Sequence, residues 1–506
     1  RFEGEPACAH KFLMEDVLRG EWGFEGHYVS DCWAIRDFHE NHKVTKNSTE
    51  SAALALNTGC DVNCGCTYEY ILDALREGLI TEEAIDRSLI RLFTTRFLLG
   101  MFEPCEYDEI GYSEVESKEH IKLAKKAARK SIVLLKNNGI LPLDVTKLNS
   151  IGVIGPNANS RASLIGNYHG TSSRYVTVLE GIQKVCDKND IRVHYSDGSH
   201  LFKERVENLA FDDDRISEAV IVAKNSDVVV LVVGLDETLE GEEGDTGNSY
   251  ASGDKETLNL PASQMRMIET LEAVGKPIIL INMTGSAMDL AFAKNNDTYG
   301  AILQAWYPGC MGGKAIADIL FGKISPSGKL PVTFYNSLDE LPDFEDYSMK
   351  GRTYKYMENP AQYPFGFGLT YANVEMTGAS LENEENAKSL IKSDNVYDGS
   401  ISVRANIKNT SGIKTDEVVQ VYIKNHNSEY AVRNHSLCGF KRVGLDAFEE
   451  KEVTINIPSR AFMVVNEEGK YIQDGDKFTL YVGVSQPDEV SVSLCKVNPL
   501  KIEINL

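Results

Sequence analysis

Hydrophobic positions in the first hundred residues alternate between helical spacing and short extended runs. Apolar residues recur every three or four positions in four segments, which predicts helices over 12–19, 49–57, 68–77 and 82–99. Thr81 is the predicted N-cap of the last helix. Two short apolar runs predict strands at 27–30 and 61–63. This order predicts about two βα units.

From residue 131 the apolar runs become longer and richer in β-branched side chains. Four of them, at 151–154, 227–234, 277–282 and 301–306, are nearly continuous, which is typical of strands covered on both faces. Helical patterns lie between them at 216–224 and 263–274. The pattern predicts a second, mostly parallel α/β domain that extends to about residue 370.

After residue 397 the hydrophobic period changes to two. Apolar residues alternate with polar ones in four segments, and Gly, Asn and Asp turns separate them, at 401–407, 418–423, 453–457 and 478–484. This spacing predicts a β-sandwich. The polar segment 382–394 is predicted to be a linker.

The composition fits a folded protein that avoids polyanions. The chain has 506 residues, of which 42% are hydrophobic and 25% charged, and 52 basic residues against 75 acidic ones give a net charge of −23. Such a chain repels phosphate backbones, so neither nucleic acid nor membrane is expected as a partner. No apolar run approaches the roughly 18 residues of a transmembrane helix.

Ten irregularly spaced cysteines are too few for a disulfide scaffold. The cluster Cys60, Cys64 and Cys66 lacks a second pair and a nearby histidine, so no zinc site is expected. We interpret the cysteines as buried free thiols. Free thiols favour a reducing, cytoplasmic location, although the sequence leaves secretion undecided.

Asp31 is the first residue that predicts chemistry. It directly follows the predicted strand 27–30, and catalytic groups of βα barrels project from the carboxyl ends of strands. The alternative is an N-cap aspartate. Trp33, two residues on, is a candidate for stacking against a sugar ring, with core packing as its alternative.

The loop 236–254 is the second candidate. It follows the predicted strand 227–234 and contains seven acidic residues and four glycines. Open α/β sheets bind ligands at this edge, whereas a charge run is more often a solvated loop. A nucleophilic carboxylate and an acid from different domains, roughly 5–5.5 Å apart, are what a retaining glycosidase needs. GVIGPN at 152–157 lacks the dinucleotide fingerprint, no GxSxG is present, and no cofactor is expected.

Several segments resemble glycoside hydrolase family 3, in the family's order. WGFEGHYVSD at 22–31 resembles its nucleophile segment, and LLKNNGILPL at 134–143 resembles the entry into its second domain. Further matches are VIGPNA at 153–158, WYPG at 306–309, SPSGKLP at 325–331 and YPFGFGLTY at 363–371. The resemblance implies a TIM barrel, an α/β sandwich with a mostly parallel sheet and a fibronectin-III-like β-sandwich. The implied bounds are 1–105, 106–380 and 381–506.

The resemblance implies that Asp31 is the nucleophile of an exo-acting retaining β-glycosidase. It puts the acid/base in EGEEGD at 240–245, where the spacing from Asp245 selects Glu242. No Arg follows Asp245, and Asp254-Lys255 fits the later part of the motif better, so Glu240 and Glu243 stay open. The implied substrates are β-linked oligosaccharides or aryl glycosides with terminal xylosyl or glucosyl residues. Segments 56–65 and 165–170 look like the β-xylosidase branch, whereas Trp33 is more glucosidase-like.

The chain departs from the family at its first domain, because a barrel has eight βα units and the pattern predicts two. We therefore expect only the last units of a barrel, completed by an N-terminal segment in cis or in trans. The alternatives are a catalytically silent carbohydrate-binding relative, an inactive fragment, and a nucleotide-binding α/β protein. Aglycone preference and homo-oligomerisation are left open.

Overall fold

A computed structural model describes residues 1–242, 255–392 and 399–506. The chain divides into two compact units, Arg1–Glu114 and Val115–Leu506. The first unit is helical, beginning with the π-helix Phe12–Glu21. Its α-helices are α1 (Ala34–Glu40), α2 (Ser48–Thr58), α3 (Ile71–Arg76) and α4 (Glu82–Leu98). Thr81 is at the N-cap position of α4, but its side chain makes no capping hydrogen bond.

The two predicted strands of the first unit are reduced to one bridge. Val29 pairs in parallel with Val62, and residues 1–114, all of which the structure describes, form no longer strand. An isolated pair of strands is at best marginally stable in water, and these two segments pair only with each other. Apolar side chains of α4 and the turn after it are also exposed, among them Ile90, Phe97, Leu98 and Leu99.

The second unit begins with a six-stranded mixed sheet. Its strands are β1 (Val133–Asn137), β2 (Ser150–Ile154), β3 (Arg192–Ser196), β4 (Val228–Gly234), β5 (Ile278–Met283) and β6 (Tyr299–Gln304). They lie in the order β1-β6-β5-β4-β2-β3. All neighbours are parallel except β1 and β6. The predicted mostly parallel sheet is therefore confirmed, with an antiparallel edge strand that the pattern did not predict.

Helices cover both faces of this sheet. They are α5 (Lys118–Ser131), α6 (Ala162–Ile165), α7 (Val178–Cys186), α8 (Ile216–Lys224), α9 (Ala262–Glu272), α10 (Ala291–Lys294) and α11 (Gly312–Leu320). The short helix α12 (Thr353–Tyr356) follows, and its Tyr354 stacks on Phe365. Val230 of β4 packs in the core that contains α7 and α11, whereas Leu231 packs in the core that contains α8 and α9. Because both faces are buried, β4 has no polar side chain.

The third part of the chain is the predicted β-sandwich. One sheet has the order β10-β9-β14-β15 and the other β11-β8-β7, and a small pair, β12 and β13, lies apart. The strands are β7 (Val374–Leu381), β8 (Ser400–Asn409), β9 (Thr415–Asn425), β10 (Ser436–Leu445), β11 (Glu450–Pro458), β12 (Val464–Val465), β13 (Tyr471–Ile472), β14 (Lys477–Gly483) and β15 (Leu500–Asn505). Helix α14 (Glu489–Cys495) precedes the last strand.

The linker prediction for 382–394 is wrong. Helix α13 (Glu384–Ile391) occupies most of it, and Asn383 caps this helix by accepting a hydrogen bond from the Asn386 amide. Ala387 and Ile391 are buried in the sandwich core, so two apolar positions outweigh the polar composition. Residues 393 and 394 lie outside the described residues.

The sandwich and the α/β part share a polar interface inside the second unit. Lys329 and Glu417 form a buried ion pair, with 2.7 Å between Nζ and Oε1. The Gln420 side chain donates to the carbonyl of Gly366 (2.9 Å), and that of Gln486 to the carbonyl of Phe365 (2.7 Å). The segment 363–371 is therefore held by the sandwich.

Candidate active-site residues

Asp31 lies just beyond the Val29–Val62 bridge, in an exposed position. Its Oδ1 accepts a hydrogen bond from the Cys32 amide at 2.8 Å. The N-cap of α1 is Trp33, so Asp31 does not cap that helix with its side chain. No Arg or Lys in the described part of the chain forms an ion pair with Asp31. The carboxylate is therefore accessible.

A buried charge cluster supports the backbone that leads to Asp31. The Asp61 side chain is fully buried and pairs with Arg19 (3.0 Å) and Arg91 (3.2 Å). It also accepts hydrogen bonds from the Ser88 hydroxyl (2.8 Å) and the Tyr28 amide (2.9 Å). Two cations and two neutral donors compensate one buried carboxylate, which fixes the start of the Tyr28–Asp31 segment.

Cys32 and Cys64 form a disulfide, so the interpretation of all ten cysteines as free thiols is wrong. The parallel bridge brings together the chain just after Val29 and just after Val62, and this places the two cysteines side by side. The sequence interval of 32 residues gives no sign of that approach. Cys32 and Cys64 therefore no longer support a reducing compartment. Cys8 and Cys60 are buried and form no disulfide.

Trp33 is exposed beside the disulfide. Its backbone has φ of +64°, and its amide donates to the Cys64 carbonyl at 2.8 Å. The Arg36 guanidinium lies over the indole, 4.6 Å from the ring centroid. The alternative of core packing is therefore excluded, and the sugar-stacking role stays a prediction.

The acidic loop after β4 begins with an ordered turn. Asp236 Oδ1 accepts hydrogen bonds from the amide and hydroxyl of Thr238, at 2.9 and 2.6 Å. The Leu239 side chain is buried in the sheet core, and the Glu240 amide donates to the Asp236 carbonyl. The turn therefore presents Glu240 at the carboxyl end of β4, where α/β sheets place ligand sites.

Glu240 is held by donors that follow the next two strands. Its Oε2 accepts a hydrogen bond of 2.6 Å from the Gly285 amide, after β5, and another of 2.6 Å from the Tyr307 hydroxyl, after β6. Burial, followed by the charge of Glu240, raises the pKa of Tyr307, so the hydroxyl stays protonated and donates. Sequence analysis included Tyr307 only as part of the WYPG segment, without a role, and did not single out Gly285. Their positions just after two predicted strands were the available signal.

Glu242, which the motif spacing selects, is exposed. It accepts a hydrogen bond from the hydroxyl of Tyr168, whose ring is also exposed. Next to this pair, His169 Nε2 lies 3.1 Å from Glu237 Oε2. The loop 165–170 therefore contacts the acidic loop twice.

The other acidic candidates, Glu243, Asp245 and Asp254, lie outside the described residues. Lys255 is half-buried and donates to the Ala287 carbonyl at 2.6 Å. Within the described ranges no three His, Cys, Asp or Glu side chains are grouped as metal ligands require. A search of the same ranges finds no helix suited to crossing a membrane.

Three family models match the chain. The glycosyl hydrolase family 3 N-terminal domain matches residues 1–95, the family 3 C-terminal domain matches 132–371, and a fibronectin type III-like domain matches 417–486. A xylan 1,4-β-xylosidase of Xylanibacter ruminicola is 30% identical over 90% of this chain and 67% of its own length. The chain belongs to glycoside hydrolase family 3.

Other family 3 relatives have both sugar specificities in their names. A periplasmic β-glucosidase of Salmonella typhimurium is 30% identical over 95% of this chain and 64% of its own. The structure of a family 3 exo-β-xylosidase in complex with a xylobiose aziridine probe has a TM-score of 0.82 and 26% identity, over 99% of this chain and 64% of that one. The structure of a β-glucosidase from Erythrobacter marinus has a TM-score of 0.80 and 29% identity, over 100% of this chain and 66% of that one. The chain thus spans about two thirds of the length of these relatives.

Proposed function

We propose that the chain is the catalytic part of an exo-acting retaining β-glycosidase that releases terminal β-D-xylosyl or β-D-glucosyl residues. The observation that carries the proposal is the accessible Asp31 carboxylate beyond the Val29–Val62 bridge, in a family 3 chain. Glutamates at the carboxyl end of β4 supply the second carboxyl that the mechanism needs.

In the first step, the Asp31 carboxylate attacks the anomeric carbon and the bond to the leaving oxygen breaks. A loop glutamate gives its proton to that oxygen, and a glycosyl ester of Asp31 remains. In the second step, the same glutamate takes a proton from water, which attacks the anomeric carbon and frees the sugar and the Asp31 carboxylate. The motif spacing favours Glu242 for this glutamate, with Glu240 and Glu243 as the alternatives.

Trp33 is proposed to stack against the sugar. Its exposed indole lies two residues from Asp31, and aromatic faces pack well against the apolar face of a pyranose. The neighbouring Arg36 guanidinium covers one face of the ring, so we propose that the sugar uses the other face or the edge.

We further propose that the first unit binds a complementary barrel segment, in cis or in trans. One parallel bridge cannot close a barrel, and α4 leaves Phe97 and Leu98 exposed, at 66% and 83% of their surface. The family 3 relatives are longer than the segment that this chain matches.

Hydrolysis of nitrophenyl β-xyloside and nitrophenyl β-glucoside tests the proposal. The 506-residue chain is assayed alone and mixed with a segment that supplies the missing barrel units, and turnover is expected only in the mixture. Turnover by the homogeneous chain alone would overturn the need for a complement. An inactive mixture that still binds xylose or glucose would instead favour a silent carbohydrate-binding relative, which the absence of any Arg or Lys ion pair to Asp31 among the described residues argues against.

A further inference from the structure

We infer that the Tyr307 hydroxyl and the Gly285 amide hold Glu240 in place for proton transfer, which assigns the acid/base role to Glu240 in place of Glu242. Tyr307 is then a positioning residue, because it acts through Glu240. The inference rests on the proposed function, and it chooses a different loop glutamate from the one that the motif spacing favours.

Three consecutive strands of the parallel sheet build this site. Glu240, Gly285 and Tyr307 each follow one of β4, β5 and β6, which lie side by side. The carboxyl ends of parallel neighbours meet at one edge, so the donors and the acceptor come from three connections that the sheet anchors at that edge rather than from one loop. The buried Leu239 side chain fixes the chain on the other side of Glu240.

The packing between residue 285 and the side chains of Glu240 and Tyr307 is tight. A Cβ added to Gly285 would lie 3.2 Å from Glu240 Oε2 and 3.0 Å from Tyr307 Cε2. The Tyr307 ring in turn packs on the backbone of Gly166, where an added Cβ would lie 2.6 Å from Cδ2. Both donors to Glu240 are therefore held in position by close backbone contacts.

The two hydrogen bonds divide the carboxylate into a held oxygen and an open one. Both donors point at Oε2, and the described part of the chain offers no partner to Oε1. An amide N–H cannot reverse its direction, so a proton on the carboxyl must reside on Oε1. An acid/base residue needs one fixed geometry and one oxygen that is free to exchange a proton, and Glu240 has both.

Glu242 offers a less fixed geometry. It is exposed, and its hydrogen-bond donor is the hydroxyl of Tyr168, whose side chain is 82% exposed. Ordering two exposed loop side chains costs more conformational entropy than ordering one carboxylate that a backbone amide and a partly buried tyrosine already hold. The contact is therefore a weaker basis for proton transfer than the hydrogen bonds to Glu240.

The decisive variant is Tyr307→Phe, which removes the hydroxyl and keeps the ring. In the preparation that hydrolyses nitrophenyl glycosides, we expect kcat to fall about 10-fold on methyl or alkyl β-glycosides, since one charged hydrogen bond is lost. We expect a smaller loss on nitrophenyl glycosides, whose leaving group needs little protonation, and little change in KM.

Tyr299→Phe is the matched control. Tyr299 begins β6, the strand that Tyr307 follows, and its hydroxyl donates to Glu272 Oε1, also at 2.6 Å. Tyr299→Phe should change thermal stability by an amount similar to Tyr307→Phe and leave kcat, KM and the leaving-group dependence as in the parent. If the two variants share the same kinetics, the positioning role is overturned.

Glu240→Ala and Glu242→Ala separate the rival assignments. Glu240→Ala should slow alkyl glycosides far more than nitrophenyl glycosides, and azide should restore part of its turnover by attacking the glycosyl ester. The same behaviour in Glu242→Ala or Tyr168→Phe would overturn the inference and leave the proposed function intact. If no preparation turns over β-glycosides, the proposed function fails, and a crystal structure of Tyr307→Phe decides the positioning: a displaced Glu240 carboxylate supports it and an unmoved one overturns it.

Discussion

Asp31 and Glu240 are supported in opposite ways. Glu240 follows β4, a strand whose seven residues are all buried between two helical layers. Asp31 follows a single bridge in which Val29 is 49% exposed, and its neighbourhood is held by the Asp61 cluster and the Cys32–Cys64 disulfide. The position of Glu240 therefore depends on apolar burial, whereas that of Asp31 depends on a few specific polar and covalent contacts.

The largest effect is expected at Asp31 itself. Asp31→Asn should abolish turnover of nitrophenyl β-glycosides, because the amide cannot form the glycosyl ester. The free energy of unfolding should change by less than about 0.5 kcal/mol, since the side chain is exposed and makes one local hydrogen bond. Substantial turnover in the folded variant would remove Asp31 from the mechanism.

The Asp61 cluster should be the most sensitive part of the support. Asp61→Asn leaves Arg19 and Arg91 without their counter-charge. We expect the free energy of unfolding of the first unit to fall by about 3–5 kcal/mol. Tryptophan fluorescence follows this transition, because Trp22 and Trp33, two of the three tryptophans, lie in that unit.

Asp73→Asn is the control for that experiment. Asp73 pairs with Arg76 at the surface of the same unit, so its loss should cost less than about 0.5 kcal/mol. Equal effects of the two substitutions would mean that the Asp61 cluster contributes no more than a surface pair.

The disulfide should contribute somewhat less than the charge cluster. Cys32→Ser should lower the free energy of unfolding of the first unit by about 2–4 kcal/mol, since the bridge closes a loop across 32 positions. Dithiothreitol should destabilise the parent by a similar amount and leave the variant unchanged. Cys66→Ser, at an exposed cysteine outside the disulfide, should have no measurable effect. An insensitive parent would show that the bridge does not form in solution.

The smallest effect is a pH dependence in the sandwich. Burial lowers the pKa of His435, whose Nε2 bonds to Gln486 Oε1 at 2.7 Å. With the folded pKa below the unfolded one, His435 contributes stability that is complete above about pH 6.5 and is lost as the pH falls. Between pH 7.5 and 5.5 we expect a loss of about 1 kcal/mol that His435→Gln removes, measured by urea unfolding. His426→Gln, at the edge of the same sandwich, should retain the loss.

Sequence reasoning was most reliable where burial alone determines structure. The continuous apolar run at 227–234 predicts β4 almost to the residue, because a parallel strand covered on both faces needs an apolar side chain at every position. The same reasoning failed for α13, where two buried side chains decide a mostly polar segment. Hydrophobic period and composition describe only residues that are neighbours along the chain. They therefore predict β4, whose own residues are all apolar, and miss α13, whose burial depends on distant parts of the sandwich.

The contacts of the candidate site lie beyond such patterns. The Cys32–Cys64 disulfide and the Glu240–Tyr307 hydrogen bond join residues 32 and 67 positions apart. Both depend on which strands become neighbours, and only the folded chain gives that order. The motif spacing alone therefore favours Glu242, whereas the sheet brings its donors to Glu240.

The contacts between the sandwich and segment 363–371 set where this protein can be cut. A chain shortened to the α/β part would leave Lys329 without the carboxylate of Glu417 and the carbonyls of Phe365 and Gly366 without their donors. Gene fusions, domain exchanges and limited proteolysis that separate the two parts would release a segment with unsatisfied polar groups. We therefore expect the α/β part and the sandwich to be stable only as a single piece.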